Sequence, residues 1–188
     1  YKRQAQIRAN YDAPLFEVIT PAVELALAQS QRGRIGVVGT RATINSDVYA
    51  QKIRALRPEV QVYSRACPLL VPLVEEGWLT RPETAMIVKK YLHPLKIRQI
   101  DTLILGCTHY PLLAKIMARK IGRNVNLIDS ASAVAHQIKL FLEENPQLQA
   151  SLGRNERSAY YVSDLTAQFR TTARQVLKRP IELQLIRL

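Results

Sequence analysis

Two stretches of this 188-residue chain are built alike. RIGVVGTRAT (34–43) and DTLILGCTHY (101–110) each run from a β-branched apolar segment through glycine into small polar residues, where a helix can begin. An apolar run without polar alternation suits a strand buried on both faces, as in a parallel sheet covered by helices. LFEVIT (15–20), VQVY (60–63), VNLI (125–128) and AYYV (159–162) read as further strands. Between them the apolar period is helical. Pro21, Pro68 and Pro111 suit first helical turns. Val48, Ile53 and Leu56 share a face within 43–56, and Leu112, Leu113, Ile116, Met117 and Ile121 form a stripe. Residues 130–142, capped by Ser130 or Ser132, and 164–177, preceded by Asp164, read as two more helices. ENPQLQASLGRNER (144–157) is polar, broken by Pro146 and Gly153, and reads as a linker or exposed loop. Strands alternating with helices predict an α/β fold with a parallel-type sheet flanked by helices. Ligands of such folds bind at the carboxyl ends of the strands, where GTRAT and GCTH both fall.

Composition removes several function classes. No apolar run approaches the length of a membrane span, and YKRQAQIRAN at the start has no apolar signal core behind it. Cys67 and Cys107 lie far apart and neither is part of a CxxC pair, which argues against a disulfide scaffold or a structural zinc site and for a reducing cytoplasm. Lys and Arg exceed Asp and Glu by 12. Such a charge attracts polyanions. The basic residues look scattered along the sequence, with only short clusters at Lys89–Lys90 and Lys178–Arg179, and no nucleic-acid motif accompanies them. They read as a solvated surface that also favours anionic substrates, with neither nucleic acid nor membrane as partner.

The chemistry concentrates in DTLILGCTHYPLL (101–113). A strand ends at Gly106, Cys107, Thr108 and His109 fill a turn, and Pro111 opens a helix. The N–H groups of a helix start favour a thiolate at Cys107 and a bound carboxylate beside it. Thr108 offers a hydroxyl for that carboxylate, and His109 a titratable ring two residues from the sulfur. A cysteine after a strand also serves as a small buried hydrophobe, so the pattern alone names no reaction.

LILGCTHYPLL resembles the second cysteine motif of bacterial glutamate racemases. RIGVVGTRATINSDVY is similar to their GT-containing segment, ACPLLVPLVEEGW to a further block, and AYYVSDLTAQFRTTARQVLKRPIEL to their closing strand–helix–strand. The resemblance implies racemisation of glutamate without pyridoxal phosphate, or any other cofactor or metal, to supply D-glutamate for peptidoglycan. One cysteine removes the α-proton as a thiolate and a second, on the opposite face, returns one as a thiol. Matched to that pattern, Cys107 is the second catalytic cysteine, His109 assists it, and Glu75 is a supporting acid, with Glu76 beside it as the alternative register. Thr108, Thr40 and Thr43 become substrate contacts, although Thr40 and Thr43 suit a strand end and a helix cap equally well. Cys67, with no His or Thr beside it, reads as structural.

The family's opening aspartate–serine segment and its cysteine–asparagine–threonine segment have no counterpart here. The resemblance therefore implies two similar domains, the first incomplete: 1–19 as its remnant, 20–128 as a complete second domain, and 129–188 as the return to the first. The chain alone is then expected to be inactive, and a homodimer is the assembly to test for. A non-catalytic dicarboxylate-binding domain, an aspartate or hydantoin racemase, and a nucleic-acid-binding protein are the alternatives.

Overall fold

The computed structural model describes residues 7, 9–11, 13–153, 158–177 and 179–187. Its centre is a parallel four-stranded sheet of β1 (Arg34–Gly39), β2 (Gln61–Ala66), β3 (Thr102–Leu105) and β4 (Asn126–Asp129), in the order β2-β1-β3-β4. β1 is paired along both edges. Val38 lies opposite Arg65 on one side and opposite Leu105 on the other. Both faces of the sheet are covered, and alternate residues of each strand go to opposite sides. Val38, Leu103 and Leu105 pack under α4 (Leu70–Glu75), α5 (Pro82–Ile97) and α6 (Ala114–Ile121). Ile35, Val37 and Ile104 pack under α1 (Ile19–Gln29), α3 (Val48–Leu56) and α7 (Ser130–Glu144). α2 (Arg41–Asn45) follows β1 directly. The later residues form α8 (Pro146–Ser151), β5 (Tyr160–Val162), α9 (Ala167–Leu177) and β6 (Leu183–Leu185), with β5 and β6 paired in parallel.

Several local expectations give way to side-chain chemistry. Residues 15–20 are not a strand, because the Glu17 carboxylate accepts from the amides of Ile19 (2.6 Å) and Thr20 (2.8 Å) and so starts α1 ahead of Pro21. Glu17 also pairs with Lys52 of α3 at 3.5 Å, and Phe16 packs edge-on against Phe141 of α7. The helical face read across 43–56 is two helices, broken where Asp47 adopts φ 52°. Pro68 precedes α4 by two residues, and Pro111 opens a 3-10 turn (Tyr110–Leu113) ahead of α6. Asp129, not a serine, caps α7, accepting from the Ala131 amide at 3.0 Å and the Ser132 hydroxyl at 2.8 Å. The 144–157 segment contains α8, started by Pro146; residues 154–157 lie outside the described set. The longest helix, α5, was not expected, although Pro82 at its start and Glu83 in its first turn mark it.

Thr102 in β3 is fully buried, and its hydroxyl has no hydrogen-bond partner among the described residues. An unmatched buried hydroxyl costs about 1–3 kcal/mol. Thr102→Val keeps the shape and removes that cost, so urea denaturation should show a higher midpoint at unchanged slope, equivalent to about 1 kcal/mol of added stability.

Candidate functional site at the strand ends

The register of β1 with β3 sets the site. Gly106 donates its amide to Val38 O at 2.8 Å, so Gly39–Thr40 and Gly106–Cys107 leave the sheet side by side. A side chain at 106 would meet Val38 O at 3.0 Å and the Tyr49 ring at 3.1 Å, so only glycine allows this approach without rearrangement. Tyr49, buried in α3, reaches the Ser130 hydroxyl at 3.4 Å, and Ser130 donates to Leu105 O at 3.2 Å. The Cys107 turn is thus braced from behind by Tyr49, which the sequence reading did not single out, and by Ser130, which it read only as a helix cap. The signal for Ser130 was the third strand end, NLIDSAS, at the same edge of the sheet.

Three expected residues form a chain of contacts. Cys107 Sγ lies 3.9 Å from His109 Nδ1, and His109 Nε2 lies 3.4 Å from Glu75 Oε1. Thr108 Oγ1 is 3.4 Å from the same Nδ1. The partner is therefore Glu75 rather than Glu76. Thr40 caps α2: its Oγ1 accepts from the Thr43 amide at 3.3 Å, and the two hydroxyls are 3.0 Å apart. The capping reading of these threonines is realised; Thr40 leaves the sheet alongside Cys107, and the Thr43 side chain packs against Gly39 at that strand end. A cavity of about 330 Å³ borders His109 and Glu75, lined also by Glu76 and, from the C-terminal part, by Thr166, Phe169 and Thr172. Thr172 donates to Glu75 O at 3.3 Å, fastening α9 to α4. Tyr110, fully buried, donates to Cys67 O at 3.0 Å and so joins the turn after β3 to the loop after β2.

The thiol does not behave as the helix-start argument predicts. Burial pushes the Cys107 thiol up; the amides of His109 and Tyr110 pull it down, and the Glu75 charge pushes it up again. The net direction is upward, because Cys107 is followed by a 3-10 turn rather than a full helix start, and desolvation of the charged form outweighs two amide donors. Cys67 is inaccessible, donates to Arg65 O at 3.6 Å, and is pushed up to about 12 by burial. The two cysteines are thereby separated, one reachable and one sealed.

Iodoacetamide titration followed by peptide mapping should label Cys107 alone, with a midpoint above the ordinary thiol range of about 8.5. Glu75→Gln removes a negative charge that opposes ionisation, so the midpoint should move to lower pH. Labelling of Cys67 in the folded protein, or an upward move in the variant, contradicts this account.

Residues 4–138 match the sequence model of the Asp/Glu/Hydantoin racemase family. A glutamate racemase of Neisseria meningitidis serogroup A is 41% identical over 169 residues, 90% of this chain and 62% of that protein. One from Geobacter metallireducens is 42% identical over 163 residues, 87% of this chain and 60% of that protein. The chain thus spans about three fifths of the length of the curated relatives it matches. Among solved structures, glutamate racemase isoform RacE1 of Bacillus anthracis superimposes with a TM-score of 0.86 at 32% identity, covering 98% of this chain and 69% of that one. The Francisella tularensis glutamate racemase in complex with D-glutamate does so with 0.85 at 31%, covering 98% and 68%. The family match over residues 4–138 and the 32% identity to a solved structure covered to 69% show that the chain belongs to the Asp/Glu/hydantoin racemase family.

Proposed function

We propose that the protein carrying this chain interconverts L- and D-glutamate in the cytoplasm without a cofactor, feeding D-glutamate to peptidoglycan synthesis, with Cys107 as the acid/base on one face of the substrate. The observation that carries the proposal is the Cys107–His109–Glu75 array beside the paired threonine hydroxyls at one strand end. The names of the relatives support glutamate over aspartate or hydantoin.

The geometry suits reversible proton transfer. His109, donating Nε2–H to Glu75, presents an unprotonated Nδ1 toward Cys107 Sγ. That nitrogen accepts the thiol proton, and the imidazolium so formed is held by the Glu75 carboxylate. The thiolate removes the α-proton; in the reverse direction the thiol supplies it. Because the Cys107 thiol is held up, the donor form dominates at neutral pH, and thiolate forms by transfer to His109 rather than to bulk water. Thr40, Thr43 and Thr108 donate to the substrate carboxylates, which stabilises charge as the carbanion develops. Inversion needs a second base on the opposite face. Cys67 is sealed in the core and is unsuited to that role, so we assign it to another part of the whole protein. On this reading 20–128 form the lobe that carries Cys107. The resemblance gives residues 1–19 and 129–188 to the other lobe; α7 nevertheless packs on this sheet, and α9 comes against Glu75.

Circular dichroism of glutamate solutions tests the proposal. The 188-residue chain should give no detectable racemisation, while the protein that also contains the opposite base should turn over. In that protein Cys107→Ala should lower kcat by at least about 10³-fold, and His109→Ala by about 10²-fold, the usual scale of acid–base catalysis. Thr40→Ala should lower kcat as well as raise KM, since its hydroxyl is assigned both to binding and to the developing charge. Robust turnover by the short chain, or by the Cys107→Ala protein, defeats the two-base reading.

A further inference from the structure

The basic residues that look scattered in the linear sequence are gathered by the fold. From Pro82 to Ile128 there are eight Lys and Arg residues and two acidic ones, Glu83 and Asp101; the rest of the chain has 19 basic against 13 acidic, and Glu83, in the first turn of α5, is the exposed carboxylate of this stretch. Asp101 is buried, accepting from the Ser30 hydroxyl at 2.8 Å and the Arg32 amide, and contributes nothing to the exposed face. Lys89, Lys90 and Lys96 are exposed on α5, with Arg98 just past its end. Lys115 and Arg119 are exposed on α6, Lys120 is half-buried there, and Arg123 follows.

These two helices form one layer. Val88, Leu92 and Leu95 of α5 and Ile116, Met117 and Ile121 of α6 share one core beneath the same side of the sheet. Their outward faces therefore make a continuous surface. None of its eight cations forms an ion pair with a described residue. On the opposite side of the sheet Lys52, Arg54 and Lys139 pair with Glu17, Asp47 and Glu143. Like charges gathered across one face repel one another, a cost that salt screens in part and that an anionic surface lying against them relieves further.

The apolar residues on that face choose the partner. Met86 is 65% exposed and Ile97 66%. They are eleven residues apart, about three helical turns, so they project on the same side of α5, with Lys89, Lys90 and His93 between them. A nucleic-acid backbone gives exposed Met and Ile no favourable contact. A lipid headgroup layer gives cations their phosphates and takes apolar tips into the acyl boundary.

We infer that the α5–α6 face is a peripheral docking surface for an anionic lipid bilayer. It binds in the plane of the headgroups without insertion, since no helix of the described residues is long and apolar enough to cross a membrane.

Vesicle co-sedimentation of the 188-residue chain tests this. Vesicles of 30% phosphatidylglycerol in phosphatidylcholine should bind at least tenfold more tightly than phosphatidylcholine alone, with affinity falling steeply as salt rises. Lys89→Glu/Lys90→Glu/Lys96→Glu should lose tenfold or more, while Arg57→Glu/Arg170→Glu/Arg187→Glu, with the same change in net charge, stays within twofold. Met86→Ser/Ile97→Ser should weaken binding severalfold at an unchanged salt slope. Far-ultraviolet circular dichroism confirms that each variant is folded. Three results overturn the inference: no preference for anionic vesicles, equal loss in the two charge-reversal variants, or tighter binding of the chain to duplex DNA than to vesicles at the same salt.

Discussion

The amide of Gly106 donating to the carbonyl of Val38 is the bond on which the site depends. It closes the ladder between β1 and β3 at their carboxyl ends and fixes where two loops of unrelated sequence position leave the sheet. Everything chemical follows from that juxtaposition: two threonine hydroxyls on one loop, a thiol and an imidazole on the other, and α4 bringing a carboxylate to the imidazole. The close approach requires a glycine, with Tyr49 packed behind it and Ser130 holding the preceding carbonyl.

The parts of the fold that depend on burial were readable in the sequence. RIGVVG is β1 residue for residue, and TLIL and NLI lie in β3 and β4, because a doubly covered strand must be apolar throughout. The parts that depend on a single polar side chain were not. LFEVIT has a strand's composition, yet one glutamate capping two amides turns its end into a helix. The start of α7 offered two serines as caps, and the adjacent aspartate took the role. α5 went unseen because its charged, weakly amphipathic sequence has no turn-former to bracket it except Pro82, and Pro94 lies inside it.

The site was legible to a similar degree. Cys107, His109, Thr108 and Glu75 converge, a distant pairing that no spacing rule gives and that came from matching blocks. The ionisation of the thiol was misjudged because an argument from the helix start counts donors and omits desolvation. With two amides against a half-buried sulfur, desolvation prevails. A thiol kept protonated and coupled to an imidazole is a better store of protons than a free thiolate. It also needs the histidine more, so the charge behind that ring carries weight.

The hydroxyl of Tyr110 reaches the carbonyl of Cys67 across the end of the central strand, deep in the apolar interior. Tyr110 follows His109 directly, and Cys67 sits just ahead of the helix that bears Glu75. The spacing between imidazole and carboxylate is thus gauged by a rivet that solvent cannot reach. Salt can weaken the exposed contact between the two groups without letting their backbones drift apart, so the pair can re-form in register each time it opens.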